Sequence, residues 1–183
     1  MYKKHLEKML PPARLHHSYC VAEQAKKLAK LYGADVHKAE VAGLLHDITK
    51  ALSPDEHLKI INKADIKLDN IQRASVKLLH SISGSVYIVK HLGIKDPEII
   101  SAVRYHTTAK ANLSLLEKIV YLADFTSADR KFSDVAYMRE VVERSLDEGM
   151  KIGLAYTIKD LLKISSPIHP DTFLAYNYYI VKQ

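Results

Sequence analysis

The stretch AGLLHDITK, residues 42–50, decides the reading of this chain. At its centre stand His46 and Asp47, two potential metal ligands side by side. Neighbours on a helix point about 100° apart, so both side chains can reach one pocket. Ala39, Ala42 and Gly43 precede the pair by helical steps. Small residues there let a second helix approach, as a site shared between helices requires. A dipeptide is short enough to arise by chance. Its weight comes from four further candidates spread along the chain: His17, His80, His106 and Asp124.

Outward from that stretch, helix signals dominate. Pro11 and Pro12 precede a stripe at His17, Val21, Gln24, Leu28 and Leu31, spaced by three and four, and Gly33 closes it. Asp35 caps a helix carrying Val41, Leu44, Leu45, His46 and Asp47. Ser53-Pro54-Asp55-Glu56 reads as a helix start, with Ser as cap, Pro first and Glu third. Asp96-Pro97 opens another helix, through Ile99, Ile100 and Val103 to His106. Ser114 and Glu117 form a second capping box, leading through Ile119, Val120 and Leu122 to Asp124. A long helical region spans about 135–164, and a last helix starts near Pro170. Strand signals are poor: VYIV at 86–89 sits in helical phase with Leu92, before Gly93. The expectation is an all-α, single-domain bundle over residues 1–183, with seven to nine helices.

Composition narrows the class. Hydrophobic residues make up 48% and charged residues 26%, ordinary for a globular domain of 183 residues. The net charge of +6 suits an anionic substrate, or only keeps helix faces hydrated. Lysines alternate with acids, as in AEQAKKLAK and VERSLDEGMK, so no basic face for nucleic acid is expected. The single Cys20 excludes an internal disulfide and suits a reducing cytosol. The segment MYKKHLEKML lacks a signal-peptide core, and no apolar run is long enough to span a membrane. A cytoplasmic protein is expected.

Each candidate ligand has a plain packing explanation. His17 lies on an apolar stripe, and His106 shares a face with Ile99, Ala102 and Val103. Asp124 follows KIVYLA on an apolar helix, where an unpaired buried carboxylate is costly. The candidates carry more weight jointly, because burying them all without a cation would need many separate partners. No Cys-based zinc pattern, Glu-x-x-His, His-Glu-x-x-His, P-loop or Gly-x-Gly-x-x-Gly occurs. Imidazole with carboxylate suits iron, manganese or zinc, and magnesium less well.

The order of these residues gives the chain a family resemblance. RLHHS at 14–18, GLLHDITK at 43–50, LLH at 78–80, RYHTT at 104–108 and LLEKIVYLAD at 115–124 resemble the HD-superfamily metal-dependent phosphohydrolases. IHPDT at 168–172 and Asn177 extend the likeness to the YqeK-type symmetrical diadenosine tetraphosphate hydrolases over essentially the whole chain. The resemblance implies that His17, His46, Asp47 and Asp124 hold one metal, and that Asp47 bridges to a second held by His80 and His106. It implies two divalent ions, of iron. A shared activated hydroxide would attack an inner phosphorus, with Asp47 as bridge and Lys50 at the polyphosphate. Arg104, Thr107, Thr108 and Arg130 are further candidates for phosphate binding, although Thr107 and Thr108 could instead merely end their helix. A nucleotide substrate, ADP or GDP as a product-like ligand, and a homodimer are compatible with the family.

Two segments depart from the family pattern. SISGSV at 81–86 replaces a Gly-Pro pair, and FTSADRKF at 125–132 replaces an acidic-Pro-Asn stretch before Arg130, placing Ser127, Ala128 and Asp129 there. Other HD-type activities, on a nucleoside triphosphate, a guanosine alarmone or a cyclic nucleotide, would use a similar metal site. A non-enzymatic nucleotide- or nucleic-acid-binding helical module is the alternative of another class.

Overall fold

The computed structural model describes residues 2–181, and among these the chain forms eleven helices and no strand. They are α1 (Lys3–Met9), α2 (Pro12–Tyr32), α3 (Val36–Leu45), α4 (Pro54–Lys63), α5 (Asn70–Ala74), α6 (Val76–Leu92), α7 (Pro97–Tyr105), α8 (Leu115–Thr126), α9 (Val135–Arg144), α10 (Leu146–Lys163) and α11 (Pro170–Val181). No helix among the described residues is long and apolar enough to cross a membrane.

The helix starts follow from their caps. Ser53 and Ser114 each accept from the backbone of a Glu three residues on, which bonds back to the cap amide. These bonds satisfy donors that a helix start leaves open. Asp35 and Asp96 cap α3 and α7 in the same sense. At its far end α2 stops at Gly33, whose φ of 69° is the left-handed turn that glycine takes without strain.

The structure has more helices than the seven to nine expected. Two are short, α1 and α5, and the long region at 135–164 is broken at Ser145. That residue is extended, with φ −157° and ψ 120°, and its side chain caps α10 by accepting from the Glu148 amide. A second correction concerns the ligands. His46 and Asp47 lie at and just past the end of α3, and His106 is the C-cap of α7. Tight three-residue turns follow, with Ile48 N donating to Leu45 O and Lys50 N to Asp47 O.

The main core lies where α2, α3, α7 and α8 meet, around Val21, Ala25, Leu28, Leu45, Val103, Ile119 and Leu122. Burying each large aliphatic side chain contributes roughly 1.5–3 kcal/mol. Leu31, at the end of the expected α2 stripe, is exposed instead. Gly43 lets α3 sit directly on α2: a Cβ there would lie 3.1 Å from Ala22 Cα and 3.2 Å from Val21 O. On the other side, Leu79 and Ile82 of α6 join Ile61 and Leu68 in a smaller cluster. The polar residues between these packed faces form the site.

Candidate metal centre

Helix ends and inner faces from five helices aim their polar side chains at one point. His17 comes from α2, His46 and Asp47 from the end of α3, His80 from α6, His106 from the end of α7 and Asp124 from α8. All four histidines and Asp47 are buried. The C-terminal ends of α3 and α7 carry partial negative charge, which favours a cation beside them.

The histidine tautomers follow from their outer bonds. Nδ1 of His46 lies 2.7 Å from Gly43 O, Nδ1 of His80 2.7 Å from Lys77 O, and Nδ1 of His106 2.7 Å from Val103 O. A carbonyl only accepts, so each Nδ1 carries the proton and donates it. Nδ1 of His17 donates to Asp129 Oδ2 at 2.7 Å. In the neutral rings Nε2 is therefore a bare lone pair facing inward. Burial pulls the pKa of His46 down to about 4 and that of His80 to about 3, against the pull of nearby carboxylates, so these rings are neutral at pH 7.

The inward atoms are mostly acceptors. His17 Nε2 lies 3.0 Å from Asp124 Oδ1. His80 Nε2 lies 3.0 Å from Asp47 Oδ1 and 2.9 Å from His106 Nε2. His46 Nε2 lies 3.6 Å from Asp47 Oδ2 and 4.0 Å from Asp124 Oδ1. Among them, His17 Nε2, His46 Nε2 and Asp47 Oδ1 are buried without a hydrogen-bond partner. Acceptors pressed together in this way need a proton or a cation between them. Ligands about 2.0–2.1 Å from one ion lie roughly 3–3.5 Å apart, and most of these separations fall in or near that range. Ligand atoms of His17, His46 and Asp124 lie within 4.8 Å of one another, as do those of His46, Asp47 and His106. The donor set is that of a divalent-metal centre.

The electrostatics agree. Burial would raise the Asp47 carboxyl, but His46, His106, His80 and Lys50 together hold it well below the usual carboxylate range. Burial opposes charge on Asp124 likewise, and His17, His46 and Arg130 overcome it. Burial works against a charge on His17, yet Asp124 and Asp129 raise its pKa above the ordinary value. In the metal-free chain a proton can thus stand where His17 faces Asp124, and an ion would displace it.

The expected substrate contacts are placed unequally. Lys50 Nζ lies 3.0 Å from His80 Nε2 and 3.5 Å from Asp47 Oδ1, at the centre's rim. Thr107 Oγ1 lies 3.1 Å from His106 Nε2. Arg130 reaches the centre, but its guanidinium is engaged by the Asp124 carboxylate and main-chain oxygen. Arg104 instead turns over the Tyr105 ring, 5.2 Å from its centroid. The Thr108 hydroxyl donates to Ala109 O, and its carbonyl accepts from Thr172. Two residues at the centre carried no expected role. Arg14 places Nη1 3.4 Å from Asp47 Oδ2, which its position one turn before His17 could have signalled. Asp129 is bonded to His17, and nothing in the sequence pairs residues so far apart.

Comparison with known proteins gives this geometry a context. The HD domain pattern matches residues 14–129. The chain is 38% identical over 170 residues to the symmetrical bis(5'-nucleosyl)-tetraphosphatase of Halalkalibacterium halodurans, covering 93% of this chain and 90% of that protein. It is 32% identical to the protein of the same name from Bacillus subtilis, over 96% of this chain and 94% of the relative. A crystal structure from Clostridium acetobutylicum, described as a predicted HD superfamily hydrolase involved in NAD metabolism, superposes with a TM-score of 0.97 at 32% identity. That match covers 100% of this chain and 98% of the other.

Proposed function

The chain belongs to the HD domain family, and from that premise we propose that it is a metal-dependent phosphohydrolase that splits diadenosine tetraphosphate symmetrically into two ADP. The observation that carries this reading is the convergence of acceptor atoms from four buried histidines, buried Asp47 and half-buried Asp124, beside the ammonium of Lys50. The names of the relatives supply the substrate.

His17, His46, Asp47 and Asp124 would hold one ion. Asp47 would be shared with a second, held also by His80 and His106. Iron is the metal proposed, with manganese, zinc and magnesium as the other candidates. Bound ions lower the pKa of a coordinated water and neutralise phosphate charge. The protein's own groups do the rest. The outer bonds of the histidines turn each Nδ1 outward and aim each Nε2 at the centre. Lys50 and Arg14 present positive charge next to Asp47, where a polyphosphate would bring its own negative charge. Thr107 offers a hydroxyl on the same rim. Helix packing fixes these groups before substrate arrives, so little reorganisation is needed. We place the activity in one domain and, with Cys20 reduced, in the cytoplasm.

The test is product identification with the metal-loaded protein in ¹⁸O-labelled water. Diadenosine tetraphosphate should give ADP alone, with label on one of the two molecules. AMP with ATP would contradict symmetrical cleavage, and no turnover at micromolar substrate would remove this substrate. Turnover of a nucleoside triphosphate, a guanosine alarmone or a cyclic nucleotide instead would assign the centre to another HD-type activity.

A further inference from the structure

The outer partners of the four histidines are not alike. Those of His46, His80 and His106 are neutral backbone carbonyls, whereas that of His17 is the Asp129 carboxylate at 2.7 Å. A carboxylate behind a ligating histidine orients the ring and raises its basicity, and losing such a partner typically costs 10–100-fold in metal affinity.

Asp129 is held for this task. Its Oδ1 accepts from Ser127 Oγ at 2.7 Å. Arg139 pins the surrounding loop through Thr126 O at 3.0 Å, Ser127 O at 2.7 Å and Arg130 O at 3.3 Å. On this side Arg130 pairs with Asp124, itself a ligand, and Asp129, bonded to His17, adds a negative charge near both. On the other side Lys50 pairs with Asp47, the ligand common to both sets, and its ammonium also lies 3.0 Å from the metal-facing Nε2 of His80. An ion there must bind against that ammonium.

We propose that Asp129 is a positioning residue that makes the His17, His46 and Asp124 side of the centre fill first, so that the two ions bind with unequal affinity. Ser127 orients the Asp129 carboxylate for this role by donating to its Oδ1. This inference rests on the metal-centre reading above.

The test is a titration of the full-length, metal-free protein with Mn²⁺, following free ion by electron paramagnetic resonance, with circular dichroism to monitor folding. The wild type should show a tight and a weaker class of site. Asp129→Asn keeps the side-chain shape and removes the charge; it should weaken the tight class 10–100-fold and leave the weaker class within about twofold. Ser127→Ala should weaken the same class by a smaller factor, and carries the test if Asp129→Asn does not fold. Two equal classes in the wild type, an unchanged tight class in the variants, or an equal loss at both classes would overturn the inference while leaving the metal centre standing. A wild type that takes up no Mn²⁺, and no Fe²⁺ under anaerobic conditions, would overturn the metal-centre reading and the inference with it.

Discussion

Asp47 lies 3.0–3.6 Å from the Nε2 atoms of His46, His80 and His106. Those distances make it, among the described residues, the one carboxylate that touches ligand candidates on both sides of the centre. Losing it should cost more than the roughly 10–100-fold associated with an outer-sphere partner. Asp47→Asn is therefore expected to lower metal content and abolish measurable turnover, checked by elemental analysis and ADP formation. Lys50→Ala should behave differently: metal content stays, while kcat falls on the order of 10²–10³-fold, the usual effect of one charge-stabilising donor. Metal loss on Lys50→Ala would show that the lysine supports the fold of the site instead. His17, His106 and Asp124 were legible as candidates because they fall in phase with apolar helix faces, whereas His80 and the grouping into two ligand sets came from the family resemblance. Asp129 was not legible, because its partner His17 lies 112 positions away and a loop conformation brings them together.

At the scale of elements, two contacts tie the scaffold to the site. Gly43 faces backbone and Cβ atoms of α2 that cannot swing aside. Gly43→Ala should cost about 1–3 kcal/mol through overpacking, read as a lower melting temperature, and should disturb His46 one turn on. Glu117 on α8 is buried; it accepts from Ser101, from Lys110 at 2.8 Å and from the Ser114 amide at 2.7 Å. Burial would raise its pKa, but these donors outweigh burial and hold it below the ordinary value. A depressed carboxylate pKa stabilises the fold above the unfolded value, about 4.3, and that contribution fades as pH falls through the folded value. Glu117→Gln should therefore destabilise the protein by roughly 1.5 kcal/mol or more at pH 7, with the gap to wild type closing below about pH 4. Urea unfolding at the two pH values checks it. Capping boxes at Ser53 and Ser114 were readable because cap chemistry is local. The break at Ser145 was hidden by continuous helical periodicity on both sides of it. The tight turns that place His46 and His106 past their helices depend on packing, not on local sequence.

At the scale of the whole molecule, the all-α architecture was legible from helical periodicity, caps and the scarcity of Gly and Pro. The helix count was not, because α1 and α5 span only 7 and 5 residues and leave little periodic signal. Metal should also stabilise the whole fold, since the ligands come from helices far apart in sequence. At a free metal concentration 100 times Kd the gain is about 2.7 kcal/mol. For a chain of this length that is a rise of roughly 5–10 °C in Tm, and a flat melting temperature across the titration would argue that the acceptors are satisfied some other way. The central claim is that a two-ion centre built on Asp47 performs the symmetrical cleavage. Stepwise reloading of metal-free protein, with bound metal and nucleotide products measured on the same samples, tests it most directly. The account predicts that ADP is the sole product and that turnover appears with the second equivalent of bound ion. Full turnover at one equivalent or none, or AMP and ATP as products, would contradict it.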